Sequence, residues 1–297
     1  MKIAAIVPAY NEVWNIRRIL YNLLYIQRYG EHELEKVIVI CSGCSDGTDY
    51  IIKEIARRAS KVYPIIENCR KGKTHALNIA IQALRSEVKD AEAVVFLSSD
   101  VIPQRDSIRN LTSAMKKASV GCAIACPVPL NDPNEFNGKL VNILWNLHNQ
   151  MNNLGWHKVT GEMFAIKRSI LKPLPEGLIN DDLYIEYLVE QSQLDYVFVE
   201  KAKVYMWGPT SLIELFEQRR RVNRGHFQFS KQYKAKHMSL TNTLKITSTL
   251  VSRYRPMEAA TFILVEGASR LVAYMDSAKG NYDSVWKIIH TSKGGNE

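Results

Sequence analysis

The sequence predicts an α/β protein in which a mainly parallel sheet is covered by helices. Short apolar runs alternate along the chain with segments whose apolar residues recur at helical spacing. This alternation is typical of strands joined by right-handed helical crossovers. The clearest apolar run, Ala93–Leu97, ends in Ser98-Ser99-Asp100. Because open α/β sheets bind ligands at the carboxyl ends of their strands, we expect a ligand site there.

The predicted elements follow in chain order, each assigned from its apolar spacing. Strands are expected at residues 2–7, 36–41, 93–97, 159–166 and 196–199. Helices are expected at residues 15–25, 49–59, 75–84, 107–117, 140–151 and 182–190. After Gly121 the pattern is mixed, with a turn at Asp132-Pro133-Asn134. The chain from about Ser239 onward is predicted to be helical but less regular.

Composition sets the broad class of the protein. With 297 residues, 46% of them apolar, the chain can bury one large core or two modest ones. No linker, repeat or low-complexity segment divides it, so we expect residues 1–230 to form one domain and residues 231–297 a helical extension. Five cysteines without paired zinc spacing indicate reduced thiols rather than a metal site.

The sequence also bears on where the protein acts. Its apolar start, residues 1–7, is too short for the core of a signal peptide and meets Pro8 at once. The best candidate for a membrane-spanning helix is interrupted by Glu258, Glu266 and Arg270. We therefore expect a cytoplasmic protein.

Three further polar clusters follow apolar runs or open helices at the same predicted edge. Pro8-Ala9-Tyr10-Asn11-Glu12 follows the first strand, and Ser45-Asp46-Gly47-Thr48 follows the second. Gly72-Lys73 opens a helix, where free backbone amides and an ammonium group favour phosphate. Each cluster alone also fits a simpler interpretation, namely a turn, a helix cap or a solvated group of charges.

Taken together and in order, these clusters resemble the nucleotide-sugar glycosyltransferase family 2, which contains cellulose, hyaluronan and poly-N-acetylglucosamine synthases. The matching stretches are Val7-Pro8-Ala9-Tyr10-Asn11-Glu12, Ser45-Asp46-Gly47-Thr48, Gly72-Lys73-Thr74-His75-Ala76-Leu77-Asn78, Thr160-Gly161-Glu162, Asp181-Asp182 and Gln218-Arg219-Arg220-Arg221 with Gly225. The resemblance spans about residues 3–225, and the ordered set is far more specific than any one stretch. It implies a GT-A fold, a three-layer α/β/α domain with a mainly parallel sheet.

The resemblance implies a role for each matching residue of the donor site. Asp46 matches the aspartate that recognises the base in the family. Pro8, Tyr10 and Glu12 would wall the nucleotide. Lys73 would lie near the donor.

The resemblance also implies a divalent cation, Mg²⁺ or Mn²⁺. Asp100 matches the last aspartate of the family's Asp-x-Asp motif, which holds the cation on the donor diphosphate. Ser98 replaces the first aspartate, and Ser99 stands between the two. Because this replacement removes one negative charge, we expect either weaker metal binding or a ribose contact remade by a hydroxyl.

On the acceptor side, the resemblance assigns Asp182 as the catalytic base, within the pair Asp181-Asp182. The residues expected near the acceptor and the diphosphate are Thr160, Gly161, Glu162, Gln218, Arg219 and Arg221. Val222 replaces the tryptophan that ends the family's Gln-x-x-Arg-Trp motif. That tryptophan lines the acceptor site of polymerising members, so the resemblance does not extend to processive synthesis.

The chemistry of sugar transfer requires such groups independently of the family. Positive charge must stabilise the departing diphosphate, and a carboxylate must accept the proton of the acceptor hydroxyl. Lys73, Arg221 and a cation on Asp100 could supply the charge, and Asp182 could accept the proton. One displacement inverts the anomeric configuration. A double displacement needs a carboxylate nucleophile as well, and Asp181 fits a helix cap better than that role.

The second informative region is basic. Between Glu217 and Glu258 the chain has ten lysines and arginines and no acidic residue, within a net charge of +9. Together with amphipathic spacing through residues 262–272, this fits an anionic membrane surface. Packing of the same helix on its own domain or on a second subunit fits the spacing slightly better than a membrane contact does. No recognised DNA- or RNA-binding motif accompanies the charge, so we expect no nucleic-acid partner.

The sequence thus predicts an inverting glycosyltransferase at the cytoplasmic face of a membrane. The expected donor is a nucleoside-diphosphate sugar, with a UDP-sugar favoured over a GDP-sugar, and the acceptor is lipid-linked or a saccharide. A sugar nucleotidyltransferase is an alternative, although that class usually has a basic glycine-rich loop where this chain has Pro8-Ala9-Tyr10. A sugar-nucleotide-binding module without catalysis is the other, and Ser98 is its best argument.

Overall fold

The computed structural model describes residues 1–233, 240–280 and 282–283. Its strands are Lys2–Ala9 (β1), Glu33–Ser42 (β2), Val62–Glu67 (β3), Ala93–Leu97 (β4), Ile102–Pro103 (β5), Val120–Pro129 (β6), Met163–Lys167 (β7) and Asp195–Met206 (β8). Its helices are Ile16–Tyr21 (α1), Thr48–Arg58 (α2), Lys73–Glu87 (α3), Ser107–Ala114 (α4), Phe136–Asn153 (α5), Asp181–Gln191 (α6), Leu212–Tyr233 (α7), Leu240–Arg253 (α8) and Pro256–Ala278 (α9). A π-helical turn, Asn22–Ile26, continues α1.

Within the described residues, the strands form one eight-stranded sheet in the order β3-β2-β1-β4-β7-β6-β8-β5. Strands β3, β2, β1 and β4 run parallel, as do β6 and β8. Strand β7 is antiparallel to both of its neighbours, and β5 is antiparallel to β8. The expected mainly parallel sheet is confirmed.

Two buried cores lie on opposite faces of the sheet. In β1, Ile3, Ala5 and Val7 point into the core that contains residues of α1, α2 and α4. The alternate residues Ala4 and Ile6 point into the core that contains residues of α3 and α6. Burial on both faces explains why β1 is apolar throughout instead of alternating. Helices, sheet and helices form the three predicted layers.

The structure has three strands that the sequence patterns did not predict, namely the two-residue β5 and the longer strands β3 and β6. Strand β3 contains Pro64, which is tolerated because β3 is at the edge of the sheet. Strand β6 contains Gly121 and two prolines, and its pairing with β8 shifts register twice, so its apolar pattern is broken. The strand expected from residue 159 begins only at Met163, and the residues before it line the site described below.

The expected C-terminal helical segment is confirmed by α8 and α9. Helix α7 runs through residue 230 without interruption, so no break in secondary structure marks the expected domain boundary. Lys234 and Lys236 of the basic region, and the side chain of Lys245, lie outside the described residues. Among the helices that the structure describes, none combines the length and the apolar character needed to cross a membrane.

Candidate active site

A cavity of about 810 Å³ opens at the carboxyl ends of β1 and β4. The loop 158–162, the first residues of α3 and α6, and side chains of α5 and α7 complete its wall. The predicted site residues on this wall are Pro8, Tyr10, Glu12, Lys73, Ser98, Ser99, Asp100, Thr160, Gly161, Glu162, Asp181, Asp182, Gln218, Arg219 and Arg221. The structure therefore brings together every predicted site residue except Asp46.

Asp46 lies beside this cavity and holds two loops together. Its Oδ1 accepts hydrogen bonds from the backbone N–H of Thr48 (3.0 Å) and the Thr48 hydroxyl (2.6 Å). Its Oδ2 accepts the N–H of Val13 at 3.0 Å. Burial opposes the charge, but these hydrogen bonds hold the pKa of Asp46 below its usual range. The contacts match the capping interpretation, and recognition of a base stays a prediction.

Tyr10 carries a partner that the sequence did not single out. The guanidinium carbon of Arg70 lies 3.9 Å from the centre of the Tyr10 ring, and both residues line the cavity. Stacking of this kind is favourable because the ring face is negative. No spacing rule marks a cation that stacks across two loops.

Lys73 and Asp181 form a buried ion pair between α3 and α6. Lys73 Nζ lies 2.9 Å from Asp181 Oδ2, and the side chains are 23% and 8% exposed. A Cβ at Gly161 would lie 3.1 Å from that Nζ, so glycine leaves room for the lysine to reach its partner. The pairing neutralises much of the positive charge that Lys73 brings to the donor side of the cavity.

The segment before α6 is fixed from two sides. The Thr74 hydroxyl donates to the carbonyl of Leu178 at 3.1 Å. The Asn180 amide donates to the carbonyl of Val222 at 3.0 Å. A Cβ at Gly225 would lie 2.4 Å from Asn180, so α7 can approach this closely only with glycine there. Helices α3 and α7 thus set the position of the aspartate pair that follows.

Asp182 is a partly exposed carboxylate on the cavity wall. Its Oδ1 accepts the N–H of Leu183 at 2.9 Å. Burial raises the pKa of Asp182, and the neighbouring charge of Asp181 raises it further, while the ammonium groups of Lys158 and Lys73 oppose both effects. A carboxylate with a raised pKa is a stronger base, as a general base requires.

Two more acidic side chains lie near Asp182. Burial raises the pKa of Glu162 to about 7. Burial and the charge of Asp182 raise the pKa of Glu186 to about 8, although Glu186 accepts the N–H of Val159 at 2.7 Å. Asp182 and Glu162 thus place two carboxyl groups with raised pKa values on the wall of one cavity, which is typical of an active site.

The arginines of α7 at positions 219–221 line the cavity, and two of them also pair with α9. Arg219 forms a two-pronged ion pair with Glu266 (2.7 and 3.1 Å), and Arg220 forms one with Asp276 (2.7 and 3.0 Å). Arg221 lines the cavity, where burial lowers its pKa to about 10 despite the nearby aspartates. The basic region is therefore partly neutralised by acids of α9, which the acid-free stretch of sequence did not reveal.

Sequence reasoning missed several cavity residues from the loop 158–162, from α5 and from the segment after β8. These are Trp145, His148, Lys158 and Trp207. Burial and the charges of Lys158 and Arg219 hold the pKa of His148 well below its usual range. Trp145 and His148 are three residues apart, and their ring centres are 5.5 Å apart. That spacing on a predicted aromatic helix is the signal that could have placed them together.

A divalent cation would find Asp100 with the hydroxyl-bearing Ser98 and Ser99 on the same wall. Among the described residues, no group of three or more His, Cys, Asp or Glu side chains could hold a metal alone. Mg²⁺ commonly uses one or two carboxylates and takes its remaining ligands from substrate phosphates and water. The residues present fit a cation that binds together with a diphosphate.

Comparison with known protein families gives a match over most of the chain. A family model described as "Glycosyltransferase like family 2" matches residues 2–225. The chain belongs to this family. Membership confirms the resemblance drawn from the sequence motifs and the expected enzyme class, a glycosyltransferase.

Relatives of this family 2 glycosyltransferase include the glycosyltransferase AglE of Haloferax volcanii, 31% identical over 122 residues. The match covers 40% of this chain and only 36% of AglE, so the chain spans about a third of that relative.

Solved structures show the fold. Mannosyltransferase PcManGT from Pyrobaculum calidifontis, in complex with GDP-Man and Mn²⁺, superposes with a TM-score of 0.63 at 20% identity, over 94% of this chain and 86% of that one. GalNAc-T7 with UDP, GalNAc and Mn²⁺ gives a TM-score of 0.54 at 13% identity, over 84% and 54%. At these identities the likeness establishes the GT-A fold alone.

Proposed function

We propose that the protein transfers a sugar from a nucleoside-diphosphate sugar to an acceptor oxygen by one inverting displacement. The observation that carries this proposal is that Asp182, Asp100 and Arg221 line the same cavity. A base for the acceptor, a ligand for a cation and a buried cation for the leaving group are the parts that such a reaction needs.

The donor would lie across the ends of β1 and β4. Tyr10, stacked with Arg70, would offer a flat surface to the nucleotide, and Asp100, on the same cavity wall, would hold the cation of the diphosphate. When bound there, Mg²⁺ or Mn²⁺ would neutralise charge on the diphosphate and on the departing nucleoside diphosphate. Support comes from the solved relatives, which were determined with Mn²⁺ and with GDP-Man or UDP. We propose a UDP-sugar as the donor.

In the displacement, the acceptor oxygen forms a bond to the anomeric carbon as the bond from that carbon to the diphosphate breaks. Asp182 accepts the proton of the acceptor hydroxyl. Arg221 stabilises the negative charge that appears on the diphosphate, because its buried guanidinium acts in a site of low dielectric constant. The charge and the proton are thereby both accounted for.

A double displacement would require a carboxylate nucleophile. Asp181 is the adjacent candidate, but its carboxylate is buried and paired with Lys73 at 2.9 Å. An ion-paired carboxylate is a weaker nucleophile, and attack by Asp181 would leave the lysine charge buried without its partner. These contacts support a single displacement and inversion.

The acceptor side of the cavity is both apolar and basic. Trp145, Met206 and Trp207 lie on the same wall as Lys158 and Arg219. Indole rings suit the apolar faces of sugar rings, and cations suit phosphate. We propose a saccharide or lipid-linked acceptor for this surface.

Calorimetric titration of UDP and GDP, each with and without Mn²⁺, tests the donor proposal. We expect UDP to bind more tightly than GDP and Mn²⁺ to tighten binding. The anomeric configuration of the product, read by NMR, tests the displacement, because a retained configuration would contradict inversion. Nucleotide binding without any transfer or hydrolysis of the sugar would favour the alternative of a non-catalytic binding module.

A further inference from the structure

Helix α9 exposes a row of large apolar side chains to solvent. Met257, Leu264 and Leu271 are 67%, 70% and 63% exposed, and they are seven residues apart. Tyr274 and Met275 extend the row by one helical turn. Because residues seven apart lie on the same side of an α-helix, these five side chains form a continuous surface. We call this surface the outer face of α9.

The charges around α9 are sorted by sign. Among residues 248–280, the exposed charged residues are all basic, namely Arg253, Arg255, Arg270 and Lys279. The acidic residues of the same stretch point inward, where Glu258 pairs with Lys139 at 3.3 Å, and Glu266 and Asp276 pair with α7. The outer face therefore presents apolar groups with a basic border, and α9 itself has no exposed carboxylate. The exposed Glu217 of α7, paired with Arg220 at 3.4 Å, lies beside α9, and the exposed Asp283 follows it.

We propose that the outer face of α9 docks on an anionic lipid surface. An amphipathic helix with this arrangement lies in the plane of a membrane interface, with its apolar side chains among the upper acyl groups and its basic side chains among the head groups. The basic border favours anionic lipid over uncharged lipid, because each arginine near an anionic membrane strengthens binding. This inference rests on the proposed function where it concerns the acceptor.

Docking by α9 would bring the cavity to the membrane. The opposite side of the same helix holds Arg219 and Arg220 through Glu266 and Asp276, and Arg219 and Arg221 line the cavity. A helix with its side chains is about 10 Å across. The cavity wall would thus lie about one helix diameter from the lipid, within reach of the head group of a lipid-linked acceptor.

Sedimentation of the full chain with vesicles tests the docking surface. The probes are vesicles of phosphatidylcholine alone and vesicles of phosphatidylcholine mixed with phosphatidylglycerol. We expect binding to the mixed vesicles at low salt and weaker binding at high salt, because the screening length falls well below about 10 Å as salt rises above 0.1 M. Leu264→Glu should lower the partition coefficient at least tenfold, and Arg253→Gln about fivefold.

Tyr50→Glu is the matched control. Tyr50 is 75% exposed on α2, so this substitution adds the same negative charge at an exposed position away from α9. It should bind vesicles within twofold of the unmodified protein. The proposal is overturned if the unmodified protein stays in the supernatant at low salt. It is also overturned if Leu264→Glu and the unmodified protein sediment with the mixed vesicles to the same extent. Sedimentation velocity then distinguishes a dimer through this face, which Leu264→Glu would dissociate, from a monomer.

Calorimetry with UDP and Mn²⁺, without vesicles, separates this inference from the proposed function. Leu264 is not on the cavity wall, so Leu264→Glu should bind the nucleotide as the unmodified protein does. Nucleotide binding without vesicle binding overturns the docking surface alone. Vesicle binding without nucleotide binding overturns the proposed function and leaves the docking surface standing.

Discussion

Lys73 Nζ lies 2.9 Å from Asp181 Oδ2 in a buried ion pair, whereas Asp182, on the same cavity wall, is the more exposed of the two carboxylates. Two adjacent residues of identical chemistry are thereby given different environments. Asp181 is held by α3, and Asp182 is left to meet a substrate. This difference leads to opposite expectations for the two corresponding asparagine variants.

Asp182→Asn should lower turnover about a hundredfold or more, because the amide cannot accept the acceptor proton. Nucleotide affinity, measured by calorimetry, should stay within about threefold. Asp181→Asn should instead lower the melting temperature, because it leaves the Lys73 charge poorly paired and costs roughly 2–4 kcal/mol. A variant Asp182→Asn that retains full turnover, beside an inactive but stable Asp181→Asn, would reverse the two roles.

The raised pKa of Glu162 predicts that the stability of the protein depends on pH. Its pKa of about 7 in the folded protein lies above the ordinary value of 4.5, so between these pH values the folded protein holds a proton that the unfolded chain releases. Its contribution to the free energy of unfolding therefore falls as the pH rises from 4.5 to 7.

Glu162→Gln removes this effect. At pH 8 the variant should be more stable than the unmodified protein by roughly 1–3 kcal/mol, and near pH 4 the difference should vanish. Urea titrations at the two pH values measure it. A difference of equal size at both pH values would show that ionisation of Glu162 is not its cause.

Ser98→Asp should strengthen binding of Mn²⁺. The change adds a carboxylate two residues before Asp100, and hard divalent cations prefer charged oxygen ligands. We expect the apparent Mn²⁺ dissociation constant in the presence of UDP to fall about tenfold. Ser98→Asn, which adds similar bulk without charge, is the control. Equal Mn²⁺ affinity in all three proteins would place Ser98 away from the cation.

Glu266→Gln tests whether α9 supports the cavity. It weakens the two-pronged ion pair with Arg219, so we expect a lower melting temperature and a loss of roughly 1–3 kcal/mol of stability. We also expect reduced turnover, because Arg219 lines the cavity. Lys53→Gln, which breaks an exposed ion pair with Asp49 on α2, should change stability by less than about 1 kcal/mol. Similar losses in the two variants would contradict a special role for α9.

Asp46→Ala tests the remaining prediction of a base contact. If Asp46 recognises the base, affinity for UDP should fall at least tenfold. Affinity for GDP should then change by a different factor from affinity for UDP. If Asp46 acts only through Thr48 and Val13, the melting temperature should fall and both affinities should change by a similar factor. Calorimetry and thermal unfolding of the same preparation separate the two outcomes.

The sequence predicted the central sheet well because its strands, such as β1 and β4, are buried on both faces and therefore apolar throughout. Strand β6 escaped prediction because Gly121 and its prolines disturb that pattern, while β8 supplies the pairing that makes it a strand. Tertiary contacts decided these cases over local preference.

For the site, motifs located the residues that follow strands or open helices. They could not identify partners that arrive from distant segments. Arg70 against Tyr10 and Glu266 against Arg219 are such pairs, and neither side chain lies at a spacing that marks the other. The acid-free stretch of sequence therefore did not reveal that Arg219 and Arg220 are paired, since the acids that pair with them lie some 50 residues further along the chain.

The ion pairs between α7 and α9 also bear on synthesis of the protein. A ribosome synthesises the chain from its N-terminus, so the sheet, whose last strand ends at Met206, can begin to fold before Glu266 and Asp276 are made. Until then Arg219 and Arg220 lack the carboxylates that hold them. A nascent chain could therefore bury its sheet without a finished cavity, and premature termination before residue 266 would yield a protein that lacks this support for its catalytic wall.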